Sequence, residues 1–392
     1  MLERRPSGSC RRLRPSAPTR WASQRPTPTR CSRSIETIGC AKPKTRARSC
    51  RSSAIACRRP SASSTRPSRA GSRQWPSAVA FDSPVKIAVV GGAGRVGATT
   101  LFQLVLEGVA DELAVVDVVT DRAEGEILDL LHGTHLSHRV TFSGPGYEAC
   151  DGADFVIITA GIPRKPEETR LDLLRKNVDN LRDNVLPTLS KYAGQAFIIM
   201  VANPADVLTY QAAIHGAFPA DRVIGTGTLL DSTRLRSLLA ARLQVDPRQV
   251  FAYMLGEHGD SQSAYLSGAT VAGIPLQQFP GYSQALVDEV VNATRFGGAE
   301  VIKRKGGTFY TVAPMIVELI RAMKDDARQV LPVSTLLNGE FLDMRRVALS
   351  LPCVIGRQGR VQLVPPRLTD DEQAGLLKSY NVLREALESV GL

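Results

Sequence analysis

A short apolar run that ends in glycines constrains this chain more than any other feature. Residues 85–97 read VKIAVVGGAGRVG. The apolar residues at 87–90 suit a strand buried on both faces, and the glycines after them suit a sharp turn into a helix. Gly92, Gly94 and Gly97 fit G-x-G-x-x-G. In that pattern the first glycine permits the tight turn and the second lets backbone N–H groups approach a pyrophosphate at the positive end of the helix. The third lets helix and strand pack closely. A second apolar run, 112–118 (ELAVVDV), carries Asp117 twenty residues after Gly97, where a carboxylate accepts hydrogen bonds from both ribose hydroxyls of a dinucleotide. The same charge repels a 2′-phosphate, so the expected cofactor is NAD rather than NADP. Taken without a nucleotide, these residues read as an ordinary βαβ unit with packing glycines and a surface acid.

The formal charge of +11 over 392 residues suggests a nucleic-acid or membrane partner only until it is divided by segment. Residues 1–80 hold 19 Lys+Arg against 2 Asp+Glu, whereas the remainder holds 30 against 36 and is net −6. The tail is also rich in Ser and Pro and carries five of the seven cysteines, a composition expected to be disordered. Three readings of it are open. An Arg-rich, Ser-rich, acid-poor leader resembles a transit peptide for mitochondrion or plastid, although its scattered prolines interrupt any amphipathic helix. It also reads as translated sequence upstream of the true start, or as a basic arm for nucleic acid. Cys150 and Cys353 in the body fit a reducing, cytoplasmic setting. No run approaches the roughly 18 apolar residues of a membrane span.

From residue 85 onward apolar runs alternate with helical periodicity, which predicts a parallel sheet covered on both faces. Leu101, Leu104, Val105 and Val109 recur at helical spacing; 121–131 reads as a second helix, 140–143 as a third strand and 154–159 as a fourth. Thr159, Ala160 and Gly161 then open a polar loop, 162–170 (IPRKPEETR), before a long helix over 171–192. Because parallel sheets place ligands at the carboxyl ends of their strands, this loop is expected over the cofactor. A fifth strand, 196–201, runs into Asn203-Pro204, where Asn203 is either a helix N-cap or a hydrogen-bonding group near the site. A sixth strand, 222–225, leads into a helix over 229–243. On it Asp231 and Arg234 stand on one face at i, i+3, which by spacing alone is also how a solvated salt bridge looks. Beyond a strand at 251–255 lies GEHGD, 256–260, with His258 between glycines and acids on a strand-to-loop corner.

In their order, GGAGRVG, ELAVVDV, ITAGIPRKPEETR, VANP, GTGTLLDSTR, GEHGD and KGGTFY resemble the lactate and malate dehydrogenase superfamily, from about residue 84 to the C-terminus. The resemblance implies a Rossmann doubly wound parallel sheet, residues 84–226, followed by an α+β substrate domain, 227–392. It implies His258 as general acid/base, Asp231 as the carboxylate that orients it, Arg234 on the substrate C1 carboxylate and Arg170 polarising the C2 oxygen. It further implies substrate contacts from Arg164, Asn203 and Thr308, and NAD contacts from Gly92, Gly94, Arg95, Val96, Gly97, Asp117, Thr159, Ala160, Gly161 and Asn203. A homotetramer or dimer is implied as well; metal, nucleic-acid and membrane partners are not expected.

The substrate expectation rests on Arg164: in the family this chain resembles, that loop position faces the substituent on C3, with Gln in lactate enzymes and Arg in malate enzymes. A second carboxylate buried in a closed pocket needs a cation, and a methyl group there would leave Arg164 desolvated and unpaired. Malate and oxaloacetate are therefore expected, in carboxylic acid metabolism of the tricarboxylic acid cycle type. Glu167 stands where the family this chain resembles often has Gly, and Glu168 is as in many lactate enzymes, where malate enzymes often have Met; an acid here could partly neutralise Arg164 and keep lactate as the alternative. From another class, the basic tail admits a catalytically silent nucleic-acid-binding protein.

Overall fold

In the computed structural model the described residues are 84–162, 167 and 169–392. Strand β1 (Lys86–Val90) lies at the centre of a parallel sheet with β2 (Glu112–Val116), β3 (Thr141–Ser143), β4 (Phe155–Ile158), β5 (Phe197–Met200) and β6 (Val223–Gly225). The order runs β3-β2-β1-β4-β5-β6, so successive strands are added outward on one side of β1 and then on the other. At such a reversal the connections leave in opposite directions and open a crevice at the carboxyl ends of the strands. Alternation along the strands explains their near-continuous apolar sequences. Ala88, Val90, Val156, Ile158, Ile198 and Met200 enter one core layer, while Ile87, Val89, Phe155, Ile157, Phe197 and Ile199 enter the other. Both faces are buried, as two-sided parallel sheets require.

Helix α1 (Arg95–Glu107) follows β1 and buries Leu101, Leu104 and Val105; Val109 is also buried but lies beyond the helix. Helix α2 (Thr120–Gly133) follows β2. The expected uninterrupted helix over 171–192 is instead α3 (Arg170–Asn180), a π-helical turn at Leu181–Val185, and α4 (Leu186–Ala193). The cause is Pro187, which has no N–H for a bond to the carbonyl four residues back and would collide with it, so the chain widens by one residue immediately before it. Helix α5 (Ala205–His215) and helix α6 (Leu229–Leu243) follow β5 and β6.

Past α6 the chain forms a three-stranded antiparallel sheet, β7 (Val250–Leu255), β8 (Ser263–Val271) and β9 (Ile274–Pro275), then α7 (Gln284–Lys305) and α8 (Val312–Lys324). Strands β10 (Gln329–Asn338), β11 (Arg345–Gly356) and β12 (Gly359–Leu363) do not stay within this second unit. They extend the first sheet to nine strands among the described residues, through an antiparallel step that pairs Ser334 of β10 with Gly225 of β6. Helix α9 (Asp370–Ser389) closes the chain, begun by a capping box between Thr369 and Glu372. No helix among the described residues is long and apolar enough to cross a membrane, and Cys150 and Cys353 are buried free thiols.

The glycine turn differs in one respect from its expected division of labour. The left-handed residue is Gly91, at φ +83°, and a side chain there would meet the Ala160 backbone nitrogen at 2.7 Å. The tight turn thus belongs to Gly91 rather than Gly92. Gly92 is small because a Cβ would lie 2.7 Å from a Val115 methyl, and Gly97 because a Cβ would lie 2.3 Å from the Gly91 carbonyl oxygen. A Cβ on Gly94 would meet nothing closer than 3.1 Å, and its backbone is extended. Accordingly Gly91→Ala and Gly97→Ala should each cost about 1–3 kcal/mol in denaturant melts through overpacking and strain. Gly94→Ala should cost less than about 0.5 kcal/mol; equal losses at all three positions would contradict this geometry.

Candidate active site

Two of the cavities at the carboxyl end of the parallel sheet carry the expected site residues. The first, of about 670 Å³, is lined by Gly91, Gly94, Asp117, Tyr147 and residues 159–162. Helix α1 points its N-terminus here with no side chain capping it, so its first N–H groups and the helix dipole are available to an anion such as a pyrophosphate. Asp117 stands one residue beyond β2 and accepts from the Ala93 and Val119 N–H groups, both at 3.0 Å. These bonds fix the carboxylate at the cavity wall and leave lone pairs for ribose hydroxyls. Thr159 ties the end of β4 to the turn, donating to the Val90 and Gly91 carbonyls at 3.0 and 3.1 Å. An uncapped helix, a glycine cradle and a fixed acid fit the phosphate and ribose of NAD.

The second cavity, of about 600 Å³, is shared by Val96, Asn203, Asp231, Arg234, His258 and Thr308. What brings His258 onto Asp231 is the docking of β7 against α6. The Thr228 hydroxyl donates to the Met254 carbonyl at 2.6 Å, and the Met254 N–H donates to Ser232 Oγ at 2.9 Å. Thr228 and Ser232 lie one turn apart, so together they fix the direction in which β7 delivers the 256–260 corner. Gly256 then turns at φ +90°, where a side chain would strike Ser379 of α9, and its backbone exchanges hydrogen bonds with Ser350 of β11.

Asp231, its side chain 4% exposed, bridges two partners. One oxygen meets His258 Nδ1 at 2.6 Å and the other accepts from Arg234 Nη1 at 2.7 Å. With Nδ1 committed to a carboxylate, the imidazole presents Nε2 to incoming chemistry. Burial draws the His258 pKa down, but the charge and hydrogen bond of Asp231 outweigh it, with Asp206 adding to them, so the net direction is upward. For Asp231, burial raises the pKa and is overcome by His258 and Arg234, leaving it below the ordinary carboxylate value. Arg234 also donates to the Thr294 carbonyl at 3.4 Å, and Gly297 of α7 makes room for its stem, since a Cβ there would lie 2.6 Å from Arg234 Cδ.

The structure brings Asp231, Arg234, His258, Asn203 and Thr308 to one cavity. It sets aside the N-cap alternative for Asn203, because the cap of α5 is Pro204 and makes no side-chain bond. Arg170 is the first residue of α3, placed by a capping box between Thr169 and Asp172; its side chain, like the whole of Arg164 and Glu168, lies outside the described residues. Two residues escaped the sequence reading. Buried Asn177 accepts from the Ile162 N–H at 2.8 Å and donates to the Ile162 and Leu173 carbonyls, pinning the chain where the 162–170 loop departs. Asp206, also buried, accepts the His258 backbone N–H at 2.7 Å. The available signal was position: an amide inside the helix after the loop, and an acid three residues beyond Asn203.

A doubly wound dinucleotide-binding sheet with a carboxylate-held histidine at its carboxyl edge defines a nicotinamide-nucleotide dehydrogenase architecture. Residues 85–225 match the family model of the lactate/malate dehydrogenase NAD-binding domain, and 228–391 match that of the lactate/malate dehydrogenase alpha/beta C-terminal domain. An L-lactate dehydrogenase of Synechococcus sp. (strain JA-3-3Ab) is 38% identical over 300 residues, covering 76% of this chain and 97% of the relative. One from Kosmotoga olearia is 38% identical over 314 residues, covering 78% and 96%. Among solved structures, a minor L-lactate dehydrogenase from Enterococcus mundtii in a ligand-bound form superposes at TM-score 0.76 with 34% identity, covering 79% of this chain and 99% of that one. A Cryptosporidium parvum malate dehydrogenase does so at 0.74 with 33% identity and the same coverage. The chain belongs to the lactate/malate dehydrogenase family, whose members are NAD-dependent 2-hydroxy acid dehydrogenases.

The opposed shifts of His258 and Asp231 carry a testable sign. A raised imidazole pKa stabilises the fold fully below the ordinary value of 6.5, and that contribution is lost as pH rises through the folded value. The lowered Asp231 pKa contributes above the ordinary value of 3.8 and is lost as pH falls through the folded one. The drop in Tm caused by His258→Gln should therefore be larger at pH 6 than at pH 9 in parallel thermal melts. Equal drops would show that Asp231 does not hold the imidazolium.

Proposed function

We propose that this protein catalyses reversible hydride transfer between a small L-2-hydroxy acid and NAD, with His258 as general acid/base. One observation carries the reading: the single buried carboxylate of Asp231 fixes both His258 and Arg234. NAD, when bound, supplies the hydride acceptor at its nicotinamide. His258 takes the hydroxyl proton at Nε2 as the C2 hydride departs, and the Asp231 anion stabilises the imidazolium that forms. Arg234, anchored on one side by Asp231 and Thr294, offers the rest of its planar fork to the C1 carboxylate. Arg170 is assigned to the C2 oxygen and Arg164 to the C3 substituent, with Asn203 and Thr308 on the cavity walls. Gly92, Gly94, Arg95, Val96, Gly97, Asp117 and residues 159–161 are assigned to the cofactor. In this reading residues 84–226 bind NAD, 227–392 bind the acid, 1–80 stand apart from catalysis, and copies associate as a dimer or tetramer.

Lactate and pyruvate are the better-supported substrate pair, because the similar curated relatives carry the name L-lactate dehydrogenase. This replaces the sequence-based preference for malate, which rests on Arg164 and stays as a second reading on the strength of that cation. Steady-state kinetics of the wild type with pyruvate and oxaloacetate in parallel separates the two. The lactate reading expects higher kcat/KM for pyruvate and little change on Arg164→Gln, its charge being neutralised by Glu167 or Glu168. The malate reading expects higher kcat/KM for oxaloacetate and a loss of about a hundredfold or more on the same substitution, the cost of breaking a buried ion pair.

Cofactor choice has its own test. Asp117→Ser removes both the ribose acceptor and the repulsion of a 2′-phosphate. Since each charged hydrogen bond is worth roughly 1.5–3 kcal/mol, NAD efficiency should fall about tenfold or more relative to NADP. An unchanged ratio would mean that Asp117 does not face the ribose.

A further inference from the structure

Behind the imidazole lies a second acid, on α5. Asp206 is 3% exposed, and its Oδ2 accepts the His258 backbone N–H at 2.7 Å. Its Oδ1 lies beside the Ser334 hydroxyl of β10, which acts to stabilise the carboxylate, although the two are too poorly aligned for a well-formed hydrogen bond and neither has another partner among the described residues. A buried carboxylate this poorly satisfied costs stability, and Asn would match the His258 N–H with no charge. The position asks for a role that needs the charge.

We propose that Asp206 is a positioning residue for His258, its carboxylate holding the backbone of the general acid/base while lending a second negative charge to the imidazolium. The inference rests on the acid/base role assigned to His258 above. The imidazole is then held from two helices: Asp231 on α6 grips the ring and Asp206 on α5 grips the main chain. Asp231, Asp206 and Arg234 act on His258, while His258 and Glu257 act on Asp206, and Glu385 of α9 lines a third cavity, of about 560 Å³, that His258 and Asp206 also line. Among the described residues, Asp260 and Arg295 also line the second cavity, which holds His258. Burial pushes the Asp206 pKa up to about 6, with Glu257 adding to the rise.

The test uses the full chain and does not depend on turnover. With five histidines in the sequence, the His258 imidazole resonance is assigned by its loss in His258→Gln and titrated by NMR. Asp206→Asn should lower its proton affinity about threefold or more. In the same variant kcat/KM for the keto acid should fall about tenfold or more, with KM for NADH changed less than about twofold; Asp206→Ala should lose more. An unshifted titration in a folded Asp206→Asn protein overturns the proposal. Should that variant not fold, Ser334→Ala removes the hydroxyl beside Oδ1 and keeps Asp206 protonated to higher pH, which should also lower the His258 midpoint; no change there overturns it equally. Absence of wild-type turnover with either keto acid would sink the dehydrogenase reading, while the titration would still decide what Asp206 does.

Discussion

The active end of this protein depends on one buried carboxylate. Taking the Asp231 side chain out of water costs several kcal/mol, and removing either partner of such a buried pair typically costs about 3–5 kcal/mol. Here both oxygens are matched, one by an imidazole and one by a guanidinium. His258 and Arg234 are thereby held in a fixed relation to each other, which is what the proposed chemistry asks of a proton carrier and a carboxylate clamp acting on one small molecule. The bridge couples their energetics as well, so a change at either partner is felt through Asp231 by the other.

Three elements distant in sequence support that bridge. Thr228 and Ser232 on α6 fasten the Met254 backbone of β7, Ser350 of β11 pairs with Gly256, and α7 passes Arg234 at a glycine. The antiparallel strands matter here because they continue the parallel sheet beyond β6. The nucleotide-binding strands and the strands that carry Ser334 and Ser350 form one hydrogen-bonded surface. The geometry of the acid-binding side is therefore referred directly to the sheet that holds the cofactor crevice.

Much of this was legible in the chain. The strand-turn-helix at 85–97, the acid at Asp117 and the two-faced burial of the sheet follow from local rules: apolar runs of strand length, glycines where a side chain has no room, and an acid at a set distance. The boundaries of α6 agree to the residue, and the pairing of Asp231 with Arg234 follows from helical spacing. Less legible were contacts in which a side chain meets backbone from far away. Asn177 on Ile162 and Asp206 on the His258 N–H leave no periodic trace. Gly91 rather than Gly92 takes the left-handed turn because of Ala160, a residue 69 positions on whose backbone blocks a Cβ. The substrate expectation failed to gain support for a related reason. A single loop cation, followed three and four residues later by acids that could cancel it, does not define a pocket by its identity alone.

The sequence by itself determined the doubly wound fold, the NAD preference and the residue types of the site, because these rest on short-range patterns of backbone room, alternation and fixed offsets along a helix, and on the ordered motifs that resemble a known family. Only the tertiary structure decided that His258 faces Asp231 rather than solvent. A lone histidine between two glycines has no intrinsic direction, and its direction here comes from the hydrogen bonds that α5 makes to its backbone and α6 to its ring, with β11 holding Gly256 two residues before it. The tertiary structure alone also decided that β10–β12 complete the nucleotide sheet. An antiparallel strand buried on both faces has the same apolar sequence whichever edge it joins, and the vacant edge of β6 was settled by packing over the whole chain.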